Sequence, residues 1–252
     1  MTDSQVRTSQ AVKTFRTLSG LGDAVFAAPI VAHFAKSQPV TVATNYPDVF
    51  HFIENVNTIP LADAPSDAVR LRYTPREGHN YYGDYCKAAG VPMLPFSLPW
   101  ITDAPKLSEI FDTGGRAVCL IKEPSTAHMH RTRNDFSITP DHRVMQRWML
   151  DNRAKFYFVA VEHDTNTIKN RLVGIDYKFS SAHPVASYLN LISRVDHVAT
   201  QIGHLAPISQ AFGISLTLFK PEQENRSGFL KHVTPEMILV PKEYAPAPVE
   251  VV

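Results

Sequence analysis

The sequence predicts an α/β protein of two doubly wound, Rossmann-like units, and three observations carry that expectation. Short β-branched or apolar runs alternate with helical patterns along most of the chain. A Pro-rich stretch over 92–105, with Pro92, Pro95, Pro99 and Pro105, interrupts the alternation and reads as a linker. Beyond it a second β-α-β-α-β series begins. At 252 residues, 44% of them hydrophobic, the chain can bury a sizeable core in one domain or two. We therefore expect an N-terminal domain over 1–112 and a C-terminal domain over 113–252.

The first unit opens with an apolar strand over 14–18 that ends in Ser19, Gly20, Leu21, Gly22 and Asp23. A helical pattern follows, with Phe26, Ile30 and Phe34 four apart on one face. A strand, a Gly-rich turn and a helix bring backbone N–H groups and a helix N-terminus toward an anionic ligand. Asp23, at the mouth of the turn, is either a helix cap or a base. Residues 39–44 (PVTVAT) read as the second strand, 48–54 (DVFHFIE) as a short helix and 68–73 as a further strand. In parallel sheets ligands lie outside the carboxyl ends of the strands, where residues 20–23 fall. Residues 79–90 carry His79, Tyr81, Tyr82 and Tyr85 on a helix stopped by Gly90. The tyrosines either pack this helix on the sheet or, with His79, line a pocket for an acceptor of sugar or base character.

The second unit starts with a strand over 116–121 that runs into a polar loop over 122–135. Lys122, Arg131 and Arg133 supply cations there, and Ser125, Thr126 and Thr132 supply hydroxyls. Such a mixture suits phosphate oxygens, and equally a solvated loop. His128 and His130 have no third ligand in view, so they define no metal site. A helix over 141–152, a strand over 156–161 and a strand candidate over 171–176 follow. Then come a helix over 184–192, a strand over 196–200, a helix over 205–212 closed by Gly213, and a buried strand over 214–219. The tail from 241 reads as extended and peripheral.

Charge narrows the function classes. Net charge is +1 with no polybasic tail, which argues against a general nucleic-acid or membrane-surface binder. Two distant cysteines, Cys86 and Cys119, fit no metal spacing and suggest a reducing compartment. The polar N-terminus is no signal peptide, and no apolar run reaches the length of a membrane span, so a cytoplasmic location is expected.

In order along the chain, these motifs resemble the ADP-heptose:lipopolysaccharide heptosyltransferases, a family of GT-B glycosyltransferases. The N-terminal likeness lies in 18–23 (LSGLGD) continuing to Ala27, Ala28 and Pro29, and in the segment 79–90. The C-terminal likeness runs over 191–206 (LISRVDHVATQIGHLA), then 211–213 and 216–219. Where the family commonly has an acidic residue and a Ser or Thr, this chain has Thr200, Gln201 and Ile202. The resemblance implies a GT-B arrangement, a nucleoside-diphosphate hexose or heptose as donor, and transfer to an acceptor hydroxyl. It implies Asp23 as general base, with Gly20, Gly22, His79 and Tyr81 on the acceptor side. It places the donor at Gly203, His204, Thr200, Gln201, Lys122, Ser125, Thr126, Arg131 and Arg133. No Asp-x-Asp motif is present, and the resemblance implies neither metal nor bound cofactor, with closure of the cleft excluding water. Two alternatives stay open: glycosylation of a modified base in DNA, for which Arg70, Arg72 and Arg76 could face phosphates, and a noncatalytic nucleotide-binding module. A dinucleotide oxidoreductase is disfavoured because the third fingerprint glycine is missing.

Overall fold

The computed structural model describes residues 12–74, 78–98, 104–122, 142–161, 172–179, 185–220, 234–245 and 247–252. They form two parallel sheets separated by helices. The first sheet holds β1 (Lys13–Arg16), β2 (Val40–Thr44), β3 (Val56–Pro60) and β4 (Val69–Arg70), in the order β3-β2-β1-β4. The second holds β5 (Ala117–Ile121), β6 (Phe156–Val161), β7 (Tyr177–Phe179), β8 (His197–Gln201), β9 (Ser215–Phe219) and β10 (Val249–Val251). Its order is β10-β9-β8-β5-β6-β7, and every pairing in both sheets is parallel. In each sheet the chain winds outward on one side of its first strand and then reverses. The reversals fall between β1 and β4 and between β5 and β8, the places where parallel sheets open a crevice at their carboxyl ends.

Helices from both halves pack where the sheets meet. α1 (Leu21–Ala35) is buried continuously from Ala24 to Val31, as expected of a helix that is apolar all round. It packs on α2 (Tyr81–Ala89), whose end is set by Gly90 in the left-handed region at φ 75°. α3 (Leu107–Ile110) follows, and α4 (His142–Asp151) lays Met145 and Met149 on the far face of the second sheet against Phe156, Phe158 and Phe219. α5 (Val185–Ser193) precedes β8, and α6 (Leu205–Ala211) follows it and packs on α1. A single apolar cluster joins Phe15, Val42 and Phe26 to Val118, Val198, Ile208 and Leu216, so the two sheets share one core across α1 and α6.

A strap over 234–245, which includes α7 (Pro235–Ile238), runs back across both halves. The Gln210 amide donates to the Val240 carbonyl (2.9 Å) and accepts from the Val240 N–H (2.8 Å). The Phe96 N–H donates to the Tyr244 carbonyl at 2.8 Å, and the Leu98 N–H to the Ala211 carbonyl at 3.0 Å.

Most expected elements are present, with four corrections. The helix read over 48–54 is a short 3₁₀ turn, Pro47–Val49, followed by further turns. Residues 56–60 form a strand that was not anticipated, because Asn57, Thr58 and Pro60 break the usual alternation. The strand read over 171–176 lies instead at Tyr177–Phe179, with the Asp176 carboxylate accepting the Phe158 N–H at 2.8 Å. The tail does not merely extend: Val249–Val251 pairs with β9 as an edge strand.

Candidate active site

At the carboxyl end of β1 the chain turns through Gly20 into α1. Gly20 is the N-cap, and Asp23 sits at the third helical position instead of capping directly. Its Oδ2 accepts the Gly20 N–H at 2.9 Å, the reciprocal half of a capping box. A Cβ at Gly20 would lie 2.7 Å from that oxygen, so any other residue there would displace the carboxylate. Oδ1 of Asp23 accepts the Tyr85 hydroxyl at 2.8 Å. Burial raises the Asp23 pKa, and the bonds from Tyr85 and Gly20 oppose that rise. The carboxylate is thus fixed by two donors and made more basic than an exposed one.

Around it stands a wall of tyrosines. Tyr73 and Tyr81 stack at 3.8 Å between ring centroids with planes 11° apart, and Tyr85 lies 6.2 Å from Tyr73. Burial, then the charge of Asp23, pushes the Tyr73 phenol up to about 12. Tyr81 and Tyr85 are pushed higher still, first by burial, so all three are neutral phenols at physiological pH. His79 enters the same region just before α2. Its Nδ1 lies 3.0 Å and 3.3 Å from the two carboxylate oxygens of Asp84. At the ends of β1 and β4, Arg16, Arg70 and Arg72 line a cavity of about 380 Å³ with Thr17, Leu18 and Ser19.

The second half contributes the ends of β5 and β8. Lys122 follows β5, and its Nζ lies 3.6 Å from where a Cβ at Gly203 would be. Burial lowers its pKa to about 8. No bond or ion pair of this ammonium is found among the described residues. Gly203 and His204 lead into α6, and the His204 Nε2 lies 3.3 Å from the Tyr188 hydroxyl. Thr200 and Gln201 are buried in β8. The Thr200 hydroxyl donates to the Gln201 carbonyl at 3.1 Å, while Oε1 of Gln201 has no partner among the described residues.

The two turns meet. A Cβ at Gly22 would lie 3.3 Å from the His204 Cα and 3.7 Å from Cγ of Pro207, so the absence of a side chain lets the start of α1 touch the start of α6. Gly20, Gly22, Asp23, Gly203, His204 and Lys122 are brought to one region by this contact, and His79 and Tyr81 border it through α2. Ser125, Thr126, Arg131 and Arg133, and likewise Arg76, lie outside the described residues. Tyr85 as the partner of Asp23, Asp84 as the partner of His79, and Tyr188 were not singled out by sequence. The one available signal was the four-residue spacing of Tyr81 and Tyr85, which puts both on one face of α2. Among the described residues no three His, Cys, Asp or Glu side chains gather as a metal site, and no helix is long and apolar enough to cross a membrane.

This architecture, two parallel α/β sheets with a glycine-bearing turn of each half at the junction, is a fold of the GT-B type. Neither protein-family models nor curated protein sequences match the chain. Solved structures do. A glycosyl transferase family 9 protein from Veillonella parvula superposes with a TM-score of 0.60 at 10% identity, over 96% of this chain and 86% of that one. The ADP-heptose LPS heptosyltransferase II of E. coli gives 0.55 at 10% identity, over 96% and 90%. TibC of enterotoxigenic E. coli, described as an iron-containing dodecameric glycosyltransferase, gives 0.58 at 12% identity over 82% of this chain. The chain covers 58% of the length of TibC. At such identities the likeness is one of fold.

Proposed function

We propose that the protein is a glycosyltransferase that moves a sugar from a nucleoside-diphosphate sugar to an acceptor hydroxyl, with Asp23 as general base. The observation that carries the reading is the contact of Gly22 with His204, which joins a fixed, basic carboxylate to a cation without a partner among the described residues. Residues 1–112 hold the acceptor and residues 113–252 the donor. The diphosphate lies on the turn at Gly203 and His204, over backbone N–H groups that a helix start leaves without intrahelical partners. The Lys122 ammonium stands beside it. Thr200 and Gln201 support this turn from within β8, and Ser125, Thr126, Arg131 and Arg133 add contacts from the loop after β5.

In the reaction, the acceptor oxygen forms its bond to the anomeric carbon as the bond from that carbon to the diphosphate oxygen breaks. The acceptor proton passes to the Asp23 carboxylate, and the negative charge on the departing diphosphate is met by Lys122 and the turn. The cation and N–H groups take the place of a divalent metal, and no bound cofactor enters. The acceptor is a glycan. A second reading, a modified base in DNA, draws on the arginine-lined cavity beside β1, which suits a phosphate.

Titration calorimetry with ADP and UDP tests the donor site. At least one should bind, and binding should persist in excess EDTA. Gly203→Asp places a carboxylate beside Lys122 and should abolish binding while the melting temperature changes little. Unchanged affinity in that variant would remove the donor from this turn, and affinity lost with EDTA and restored by Mg²⁺ would require a metal.

A further inference from the structure

Between α3 and α5 a pocket of about 440 Å³ opens over β6 and β7, on the face of the second sheet opposite α4. Its floor is Val161 and Phe179, register partners in the parallel pair that present their side chains to the same face. Leu107, Ile110 and Phe111 form one wall, and Leu191 with the ring of Tyr188 forms the other. The Phe111 and Phe179 rings lie 6.2 Å apart, and Tyr177 joins them at 5.4 Å and 4.8 Å. Ile110 is 54% exposed and Tyr177 43%, so this apolar group reaches solvent. Contiguous apolar surface rimmed by polar residues marks a place where something binds.

The walls are fixed in place. The Leu107 N–H donates to the Arg194 carbonyl at 2.8 Å, and the Lys106 ammonium donates to the Ser193 and Val195 carbonyls at 3.1 Å each. The polar groups stand at the edge: Ser187 and Asn190 are exposed, and the Tyr188 hydroxyl is engaged by His204. Arg194 is the only charged residue among those that line the pocket. Its Nε donates to the Pro105 carbonyl at 2.9 Å, while its terminal nitrogens have no hydrogen bond or ion pair among the described residues. A planar pair of N–H donors at the mouth of an apolar pocket matches a carboxylate.

We propose that this pocket binds an alkyl carboxylate, its chain over Val161 and Phe179 and its head on Arg194. The site takes no part in the proposed sugar transfer. A sugar or a nucleobase carries polar edges that this floor and these walls would leave unpaired, whereas an alkyl chain has none. The volume falls within the range of pockets that hold small ligands, about 300–1,000 Å³. Tyr188 lines the pocket with its ring and reaches the His204 Nε2 with its hydroxyl, so occupancy bears on the turn at Gly203 and His204. That link, unlike the pocket itself, rests on the donor reading.

Titration calorimetry of the full chain with decanoate, below its micelle concentration, tests the site, with decan-1-ol and decyl phosphate as comparisons. Decanoate should bind saturably, about tenfold or more tighter than decan-1-ol and no weaker than decyl phosphate. Arg194→Gln should weaken decanoate about tenfold or more and leave decan-1-ol unchanged. Ile110→Glu sets a like charge at the mouth on an already exposed residue, and should weaken decanoate as much with the melting temperature unchanged. Val144→Glu, at a 44% exposed apolar residue of α4 on the other face of the sheet, should bind as the native protein does. Absence of saturable binding, equal binding of decan-1-ol, tighter binding of decyl phosphate, native-like affinity in Ile110→Glu, or an equal loss in Val144→Glu would each overturn the proposal. The affinity for whichever of ADP or UDP binds should change about fivefold or more when decanoate is present. An unchanged value overturns the link through Tyr188, and absence of nucleotide binding overturns the donor reading while the decanoate result stands.

Discussion

Lys122 and Asp23 are perturbed by the same physical cause with opposite consequences. Burial lowers the lysine to about 8 and raises the carboxyl, since both charged forms lose solvation. For a lysine whose folded pKa is depressed, the stabilising contribution is full above about 10.4 and is lost as pH falls through about 8. For Asp23 the contribution is full below the ordinary carboxylate range and is lost as pH rises through the raised value. At neutral pH the lysine is therefore held charged against the preference of the fold. A diphosphate beside Lys122 would offset the cost on that side. Nucleotide affinity should weaken as pH rises from 8 to 10, with proton uptake on binding measurable by calorimetry in buffers of different ionisation enthalpy. Lys122→Met should bind about 10–100-fold more weakly at pH 7, the worth of a hydrogen bond to a charged group, and should lose the pH dependence. Affinity independent of pH in the native protein would take Lys122 out of the donor site.

Among the elements, β8 shows how a strand serves two ends. Its carboxyl end delivers Gly203 and His204, while its amino end is pinned by His197. The His197 Nδ1 lies 2.9 Å from the Ser215 hydroxyl and Nε2 lies 2.9 Å from the Thr217 hydroxyl, across to β9. Thr217 in turn donates to Glu250 of β10 at 3.1 Å. Burial against Phe156 and Trp148 lowers the imidazole to about 4. A depressed histidine contributes fully above about 6.5 and loses that contribution as pH falls toward 4. The melting temperature should fall through that window, and His197→Gln should flatten the fall. An identical acid limb in the variant would assign the loss to other groups.

The same scale shows what the sequence could and could not reveal. Strands such as 117–121 and 156–161, apolar on both faces, and the Gly-x-Gly turn into α1 were readable because burial and backbone freedom act locally. β3 was not, since Asn57 and Thr58 lie in a strand whose pairing with β2 is decided by tertiary context. The pairing of β10 with β9 was hidden for the same reason, some thirty residues of chain lying between them. At the site, Gly20, Gly22, Asp23 and His204 were legible from one stretch each. The Tyr85–Asp23 and Tyr188–His204 contacts join separate stretches, and no local pattern encodes them.

For the whole molecule, the shared core and the strap hold the two halves close at the point where their turns meet. Phe15 and Val118 belong to one apolar cluster, and the Gly22 contact admits no side chain without a shift of a few tenths of an ångström. The Asp23 carboxylate from one half and the Lys122 ammonium from the other are thereby brought to one junction, which is the arrangement the proposed sugar transfer requires. Asp23→Asn tests that account most directly, because the amide keeps the shape and an oxygen for the Gly20 N–H while losing basicity. Release of nucleoside diphosphate from the donor sugar, to acceptor or to water, should fall ~10²–10⁴-fold, with donor affinity unchanged and stability altered by no more than about 1 kcal/mol. Near-native turnover in Asp23→Asn would contradict it and leave the carboxylate as the acceptor of the Gly20 N–H at the start of α1 alone.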